Sequence, residues 1–403
     1  MKTWDKLVGN PWQPIGLILF LATGLYLYQL GTESLWIDEF LSIHKNETGA
    51  NLPPGNLERP FYFLILYAWM QLSTSITWLR GLSVIFGLLS IFLIYLLGRK
   101  LAGEKIGLIS ALLLTLSPLF INHAQEVRMY TLIPCLSLAG TLGLAHALEK
   151  PTARALNGWT LMRLLTLFTT PLTVLLFVPD VILIWQRFYR QRRHLIAFGI
   201  RLLVIVSAWL PSVAAVHQAS TEMQGENAHY IKPNLIFIVG QITHLTAFWP
   251  LKHLLGSGIS ATVMMAKLEQ KSVLTWLWQD ILGNNGLSMV YYMAYTLMLI
   301  ALVAIAVGSR ATNPKILWLK LWALLPVALI LVMSYTFSPI WKARYLLLAS
   351  PYWLILLAVG FVQLWRWRSR LALTIAAIYG IAVMGGLGHY YTTLYRTFHG
   401  SPF

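Results

Sequence analysis

The sequence is poor in charge, in acid above all, and in cysteine. Only 11% of its 403 residues are charged, with 14 Asp and Glu against 30 Lys and Arg. Ordinary soluble domains carry roughly 25%. With 57% hydrophobic residues and a mean hydropathy of +0.65, disorder is excluded and a soluble surface cannot be built. The single cysteine, Cys135, rules out a disulfide framework and a Cys-based zinc site. No Gly/Ser linker, low-complexity tract or internal repeat divides the chain. In a soluble protein a pI near 9.9 would point to nucleic acid. In a membrane protein basic residues first report topology, so no nucleic-acid partner is expected.

What is present is apolar runs long enough to cross a bilayer, which takes about 20 residues each. They fall near 14–31, 80–98, 106–122, 130–148, 196–216, 289–308, 316–337, 345–365 and 371–389. The stretch 159–186 is interrupted at Thr169-Thr170-Pro171 and reads as two short connected helices. The expected fold is therefore all-α and polytopic, with about eleven transmembrane helices. The first run is too long and too weakly flanked for a cleaved signal peptide, so it reads as a retained helix. Residues 60–76 and 235–251 are shorter and aromatic, and are expected to lie in the outer interface. If both crossed, the count would rise to thirteen with the same charge pattern. Residues 1–403 then form one transmembrane domain with outer loops at 32–79 and 217–288 and no C-terminal soluble domain.

Eleven spans place residues 1–13, 99–105, 149–158, 187–194, 309–315 and 366–370 on one side. With their flanks, these segments hold 18 basic residues, Arg163 among them, and three acids, Asp5, Glu104 and Glu149. Short basic loops stay in the cytoplasm. The N-terminus is therefore expected inside, and the protein in the bacterial inner or plasma membrane. The opposite side holds eleven basic and ten acidic residues.

Four motifs fall on that outer side. LWIDEF places Asp38 and Glu39 just past the first helix, where adjacent carboxylates suit a general base and a second acid that orients it or binds a cation. A solvated loop start fits them equally. ERPFYFLILY places Arg59 before Pro60 and an aromatic segment with Tyr62. A fixed guanidinium suits a phosphate, although an arginine reaching for lipid headgroups also fits. In NHAQEVRMYTL, Gln125, Glu126, Arg128 and Tyr130 interrupt apolar sequence beside His123. Charges at membrane depth usually face a cavity or a partner. In SPIWKARYLLLASP, Lys342, Arg344 and Tyr345 put cations on the side that otherwise lacks them. Either an anionic ligand or an interfacial anchor accounts for them. Asp180, within a span, reads as structural and neutralised by Arg201. The loop 217–288 carries Glu222, Glu226, His229, His244, His253 and Lys267 at no metal-binding spacing, and suits a lid.

Taken in order, LWIDEF, RPFYFLILY, RGLSVIFGLLSIFLIYLLGRKL, SPLFINHAQEVRMYTL and PIWKARYLLLASP resemble the family 39-type bacterial glycosyltransferases of the GT-C superfamily. These are relatives of the protein O-mannosyltransferases and of the lipid A aminoarabinose transferase. The resemblance covers roughly 30–150 and 335–365. It implies inverting transfer of a sugar from a polyprenyl-phosphate donor, on the outer face, to a lipid, glycan or protein acceptor. By the same resemblance Asp38 is the catalytic carboxylate and Glu39 its neighbour. Arg59, Arg128, Lys342, Arg344 and Tyr345 would meet the donor phosphate, and Tyr62, Gln125, Glu126 and Tyr130 the sugar or acceptor. No cofactor is required, while a divalent cation at the paired acids is compatible. The sequence departs from many relatives in having Arg-Pro-Phe where they have His-Pro-Pro. The alternative from another class is a transporter or flippase of lipid-linked sugars, which Asp180 alone favours.

Overall fold

A computed structural model describes residues 12–53, 56–226, 286–308, 315–336 and 340–392, together with 233 and 238. Among the described residues it is all helical, without strands. The helices are α1 (Trp12–Leu27), α2 (Ile37–Glu47), α3 (Pro60–Met70), α4 (Ile76–Ala102), α5 (Glu104–Thr115), α6 (Pro118–Ala124) and α7 (Leu132–Glu149). There follow α8 (Ala153–Leu167), a 3-10 turn at Pro171–Leu176, α9 (Phe177–Phe188) and α10 (Arg192–Glu226). The last five are α11 (Gly286–Gly308), α12 (Lys315–Thr336), α13 (Ala343–Leu346), α14 (Ser350–Trp367) and α15 (Ser369–Thr392).

The polytopic all-α expectation holds, with differences in detail. By length and hydropathy, five described segments can each cross a bilayer unaided: α4, α7, Pro171–Phe188, α10 through His217, and α12. The run 106–122 is not one rod. Its halves, α5 and α6, meet at a 65° bend at Leu116-Ser117, because Pro118 disfavours helix in the residue before it and Ser117 caps the new helix through Phe120 N–H. The interfacial helix expected over 60–76 ends at Met70. The expected span 345–365 is divided, with α13 set apart from α14, which begins at Ser350-Pro351. The break at Thr169–Pro171 is present as read from sequence. The segment 235–251, residue 238 apart, and most of the outer loop 217–288 lie outside the described residues; the start of that expected loop, 217–226, continues α10 as helix.

The two ends of the molecule differ in charge. Arg80 near the start of α4 and Lys100 near its end are separated by about 30 Å at 1.5 Å per residue, a bilayer core's thickness. At the Lys100 end, Glu149 pairs with Lys100 and Lys315, each at 2.6 Å, and Arg187 donates to the Leu148 carbonyl. These are residues of the basic loops.

Midway through the bundle the fully buried Asp180 is held by Arg163, at 2.7 Å to Oδ2 and 3.1 Å to Oδ1. Trp159 Nε1 and Trp322 Nε1 donate to the same carboxylate at 2.8 and 2.9 Å. Arg163 spends its other donors on the Ser137 carbonyl and Thr141 Oγ1, where Tyr352 also bonds. Arg201, expected to neutralise Asp180, instead donates to Asn157 Oδ1. Arg163 is thus a core residue and not part of a basic loop. Its reach is decided by which helix packs beside α9, which linear spacing does not encode. The cluster joins α7, α8, α9, α12 and α14 with every charge paired.

Candidate active site

The site is built at the Arg80 end of α4. Trp36, extended, precedes α2, and the acids in its first turn complement the helix dipole. At 3.6 residues per turn, successive side chains diverge by about 100°. Asp38 therefore turns outward and keeps 30% of its side-chain surface exposed, while Glu39 turns inward and keeps 1%. Two neighbours in sequence thus occupy different environments.

Glu39 has a partner at every turn. Its Oε1 accepts Arg80 Nε at 3.1 Å and the Val127 N–H at 2.8 Å, and its Oε2 accepts Arg80 Nη2 at 3.0 Å and the Trp36 N–H at 3.3 Å. Burial pushes this carboxyl above the usual carboxylate range, with the Arg80 and Val127 bonds offsetting only part of the cost. Arg80 also donates to the carbonyls of Leu30, Glu33 and Ser34, which fixes the chain leading into α2.

Arg128 lies in the turn between α6 and α7. Ser83 of α4 holds this turn by donating to the carbonyls of Glu126 and Arg128, and Thr131 Oγ1 returns a bond to the Ser83 carbonyl. The Arg128 guanidinium sits 3.6 Å from Asp38 Oδ2 and donates to Ser42 Oγ at 2.8 Å. Arg344, on α13, approaches the same oxygen to 3.8 Å and stacks over Tyr345 at 5.1 Å. Tyr130 packs on Arg128 at 5.7 Å. Arg59 precedes Pro60, the first residue of α3, and pairs with Glu58 at 2.7 Å. The broken segment between α8 and α9 docks here too, since Phe61 N–H donates to the Phe168 carbonyl.

These side chains enclose a cavity of about 240 Å³. Asp38, Arg59, Arg128, Tyr130, Arg344 and Tyr345 supply most of its polar wall, with Thr170 from the break and Met129, Ile133, Leu172 and Leu348 as apolar wall. Three guanidiniums face one carboxylate. Both Asp38 contacts are longer than a hydrogen bond, and the Nε groups of Arg128 and Arg344 have no hydrogen-bond partner among the described residues. Even with Arg59 paired to Glu58, the surplus is positive, which suits an anion.

Six of the eleven residues singled out in the sequence thus meet in one cavity. The other five do not line it. Glu39 is tied into the protein as described. Glu126 accepts from Asn122 Nδ2 at 2.7 Å and meets His123 Nδ1 at 3.2 Å. Gln125 donates to the carbonyls of Tyr26 and Tyr28 and accepts from Tyr390, binding α1 to α15. Tyr62 is buried edge-on to Phe63, and Lys342 precedes α13 as its cap residue. Sequence reasoning missed Arg80, Ser83 and Thr170. Arg80 carried a usable signal: like Lys342 and Arg344, it is a cation on the side poor in them.

A divalent cation fits this site poorly. Among the described residues no three His, Cys, Asp or Glu side chains gather to hold one, and the cavity's carboxylate stands between guanidiniums.

Residues 54–211 match the dolichyl-phosphate-mannose-protein mannosyltransferase family. No curated protein matches the chain. Among solved structures, the oligosaccharyltransferase of Archaeoglobus fulgidus tethered to an acceptor peptide superposes with a TM-score of 0.57 at 10% identity, over 99% of this chain and 56% of that one. The same organism's oligosaccharyltransferase AglB, in complex with an inhibitory peptide and a dolichol-phosphate, gives 0.54 at 11%, over 96% and 56%. ArnT from Cupriavidus metallidurans bound to undecaprenyl phosphate gives 0.44 at 14%, over 92% and 77%. The chain spans about half the length of the oligosaccharyltransferases it matches. At these identities the oligosaccharyltransferase superpositions establish the fold alone, a polytopic helical one.

Proposed function

We propose that the chain is a membrane glycosyltransferase that moves a sugar from a polyprenyl-phosphate donor to an acceptor on the outer face, with inversion. The observation that supports this most is the cavity itself, where a single carboxylate lies 3.6 and 3.8 Å from two guanidiniums that outnumber it. The family matched by 54–211 carries a dolichyl-phosphate sugar in its description, which agrees with an anionic lipid donor.

In this reading the donor phosphate sits against Arg128 and Arg344, with Arg59 at the rim. The acceptor's oxygen attacks the anomeric carbon from the face opposite the phosphate. The bond from that carbon to the phosphate oxygen breaks, and its electron pair leaves with the phosphate. The guanidiniums stabilise the charge that develops there. Asp38 takes the acceptor proton, as a general base must, and Tyr130 and Tyr345 brace the arginines. Inversion follows from a single displacement. The outer-face assignment rests on loop charge, since the cavity lies at the end of α4 away from the basic loops. The transporter reading loses its one support, because Asp180 is saturated by Arg163, Trp159 and Trp322.

The test is Asp38→Asn assayed in detergent with a radiolabelled polyprenyl-phosphate sugar. Turnover should fall by about two to four orders of magnitude while donor binding and melting temperature persist. Undiminished turnover overturns the base assignment. An unmodified protein that transfers no sugar in detergent but moves the labelled donor across sealed vesicles overturns the enzyme reading.

A further inference from the structure

We propose that Glu39 and Arg80 form a latch that positions the catalytic carboxylate against the phosphate-binding arginine. The inference rests on the reading of Asp38 as the base. Asp38 and Arg128 come from separate segments: α2 follows the first helix, whereas Arg128 sits in the turn after α6. Arg128 donates no hydrogen bond to the Asp38 carboxylate, whose nearest approach is 3.6 Å; its Nη1 donates instead to the Asp38 carbonyl at 3.3 Å and to Ser42 Oγ at 2.8 Å. Those bonds tie the Arg128 side chain to α2, while the backbone that carries Arg128 needs a tie of its own.

Glu39 supplies that tie. Its side chain leaves α2 directly beside Asp38 and grips Val127 N–H, the residue directly before Arg128, at 2.8 Å. One carboxylate thus joins the backbone next to the base to the backbone next to the phosphate ligand. Arg80 holds that carboxylate through two parallel bonds, which fixes its plane as well as its position. The remaining Arg80 donors grip Leu30, Glu33 and Ser34, so the entry to α2 is locked to the rigid helix α4. Both partners are nearly inaccessible, at 4% and 1% side-chain exposure. Neither lines the cavity, so they act through Asp38 and Arg128. A general base tolerates little misplacement from its acceptor, which makes such a strut consequential for rate.

The experiment compares Arg80→Gln, Arg80→Lys, Glu39→Gln and the double Glu39→Gln/Arg80→Gln with the unmodified protein and Asp38→Asn, all purified in detergent. Arg80→Lys keeps the charge but loses the two-pronged bond. In that variant kcat should fall about tenfold while the dissociation constant for polyprenyl phosphate changes less than about threefold. Glu39→Gln should lower kcat but keep the acid limb of the pH–rate profile where it was, because Asp38 still supplies the base. The double variant should be no slower than the slower single. An unchanged kcat in folded Arg80→Lys overturns the latch, as does an acid limb that vanishes in Glu39→Gln. Should Arg80→Gln fail to fold, amide exchange on the unmodified protein decides: residues 30–39 and 125–131 should open as one unit, and independent opening overturns the latch. A fully active Asp38→Asn instead removes the base reading, a different result from an inactive Asp38→Asn beside a fully active Arg80→Lys.

Discussion

Asp38 and Glu39 show how far residue identity carries and where it stops. Their types and place after the first apolar helix marked a site. Which of them faces the cavity depends on the phase of α2, which begins at Ile37, and a shift of one residue would exchange their roles. Arg128 and Arg344 were legible because a cation on the acid-balanced side needs a reason. Their meeting at one Asp38 oxygen was not, since 216 residues of chain separate them. Arg344→Ala should raise the donor KM about ten- to a hundredfold, the worth of a charged hydrogen bond to phosphate, and leave the acceptor KM within about twofold. Equal effects on both would make Arg344 a headgroup anchor. Glu39 yields a pH prediction. Its folded pKa is raised, so the group's contribution to stability is fully present below the unfolded value and is lost as pH rises through the folded one. Melting temperatures between about pH 4 and 8 should therefore decline less with rising pH in Glu39→Gln than in the unmodified protein. Parallel curves would contradict the raised carboxyl.

Among elements, one break of three was legible. Pro171, which opens the 3-10 turn, was read as an interruption, whereas 106–122, broken where Pro118 opens α6, and 345–365, divided before Ser350-Pro351, were taken as continuous. A serine before a proline inside an apolar run is weak evidence, because kinked membrane helices also carry prolines. Helix-to-helix partnership was not legible. Gly360 illustrates the reason: a Cβ there would run into the Leu302 carbonyl, so α11 and α14 approach through an absent side chain, which no hydropathy window registers. The Arg163–Asp180 cluster is the polar counterpart. Removing one member leaves a buried charge with nothing to balance it. Arg163→Met should therefore destabilise the bundle by about 3–5 kcal/mol, seen as a lower melting temperature and loss of folded protein in detergent. Asp180→Asn with Arg163→Met should recover part of that loss, since no bare charge remains. Failure of the pair to recover anything would mean the cluster is held together by its tryptophans.

On the scale of the whole molecule, the charge asymmetry and the site belong to one argument. Loop composition divides the chain into a basic side and a nearly balanced one, and the structure sets the cavity at the balanced end of α4 and the Lys100–Glu149–Lys315 cluster at the other. Arg163 drops out of the basic count, yet seventeen bases remain on the basic side against three acids, so the expected direction keeps its support. The sole cysteine is buried, which makes the direction measurable without first removing it. A cysteine at Lys45, exposed on α2, and one at Arg190, exposed in the turn between α9 and α10, lie at opposite ends. In intact cells a membrane-impermeant maleimide should label Lys45→Cys and leave Arg190→Cys unlabelled until the membrane is opened. The reverse pattern would place the arginine-lined cavity in the cytoplasm, and the donor would then have to present its sugar on that side. Labelling of both would mean that α9 and α10 do not cross as the basic turn requires, and the span count, not the chemistry of Asp38, would be the part to revise.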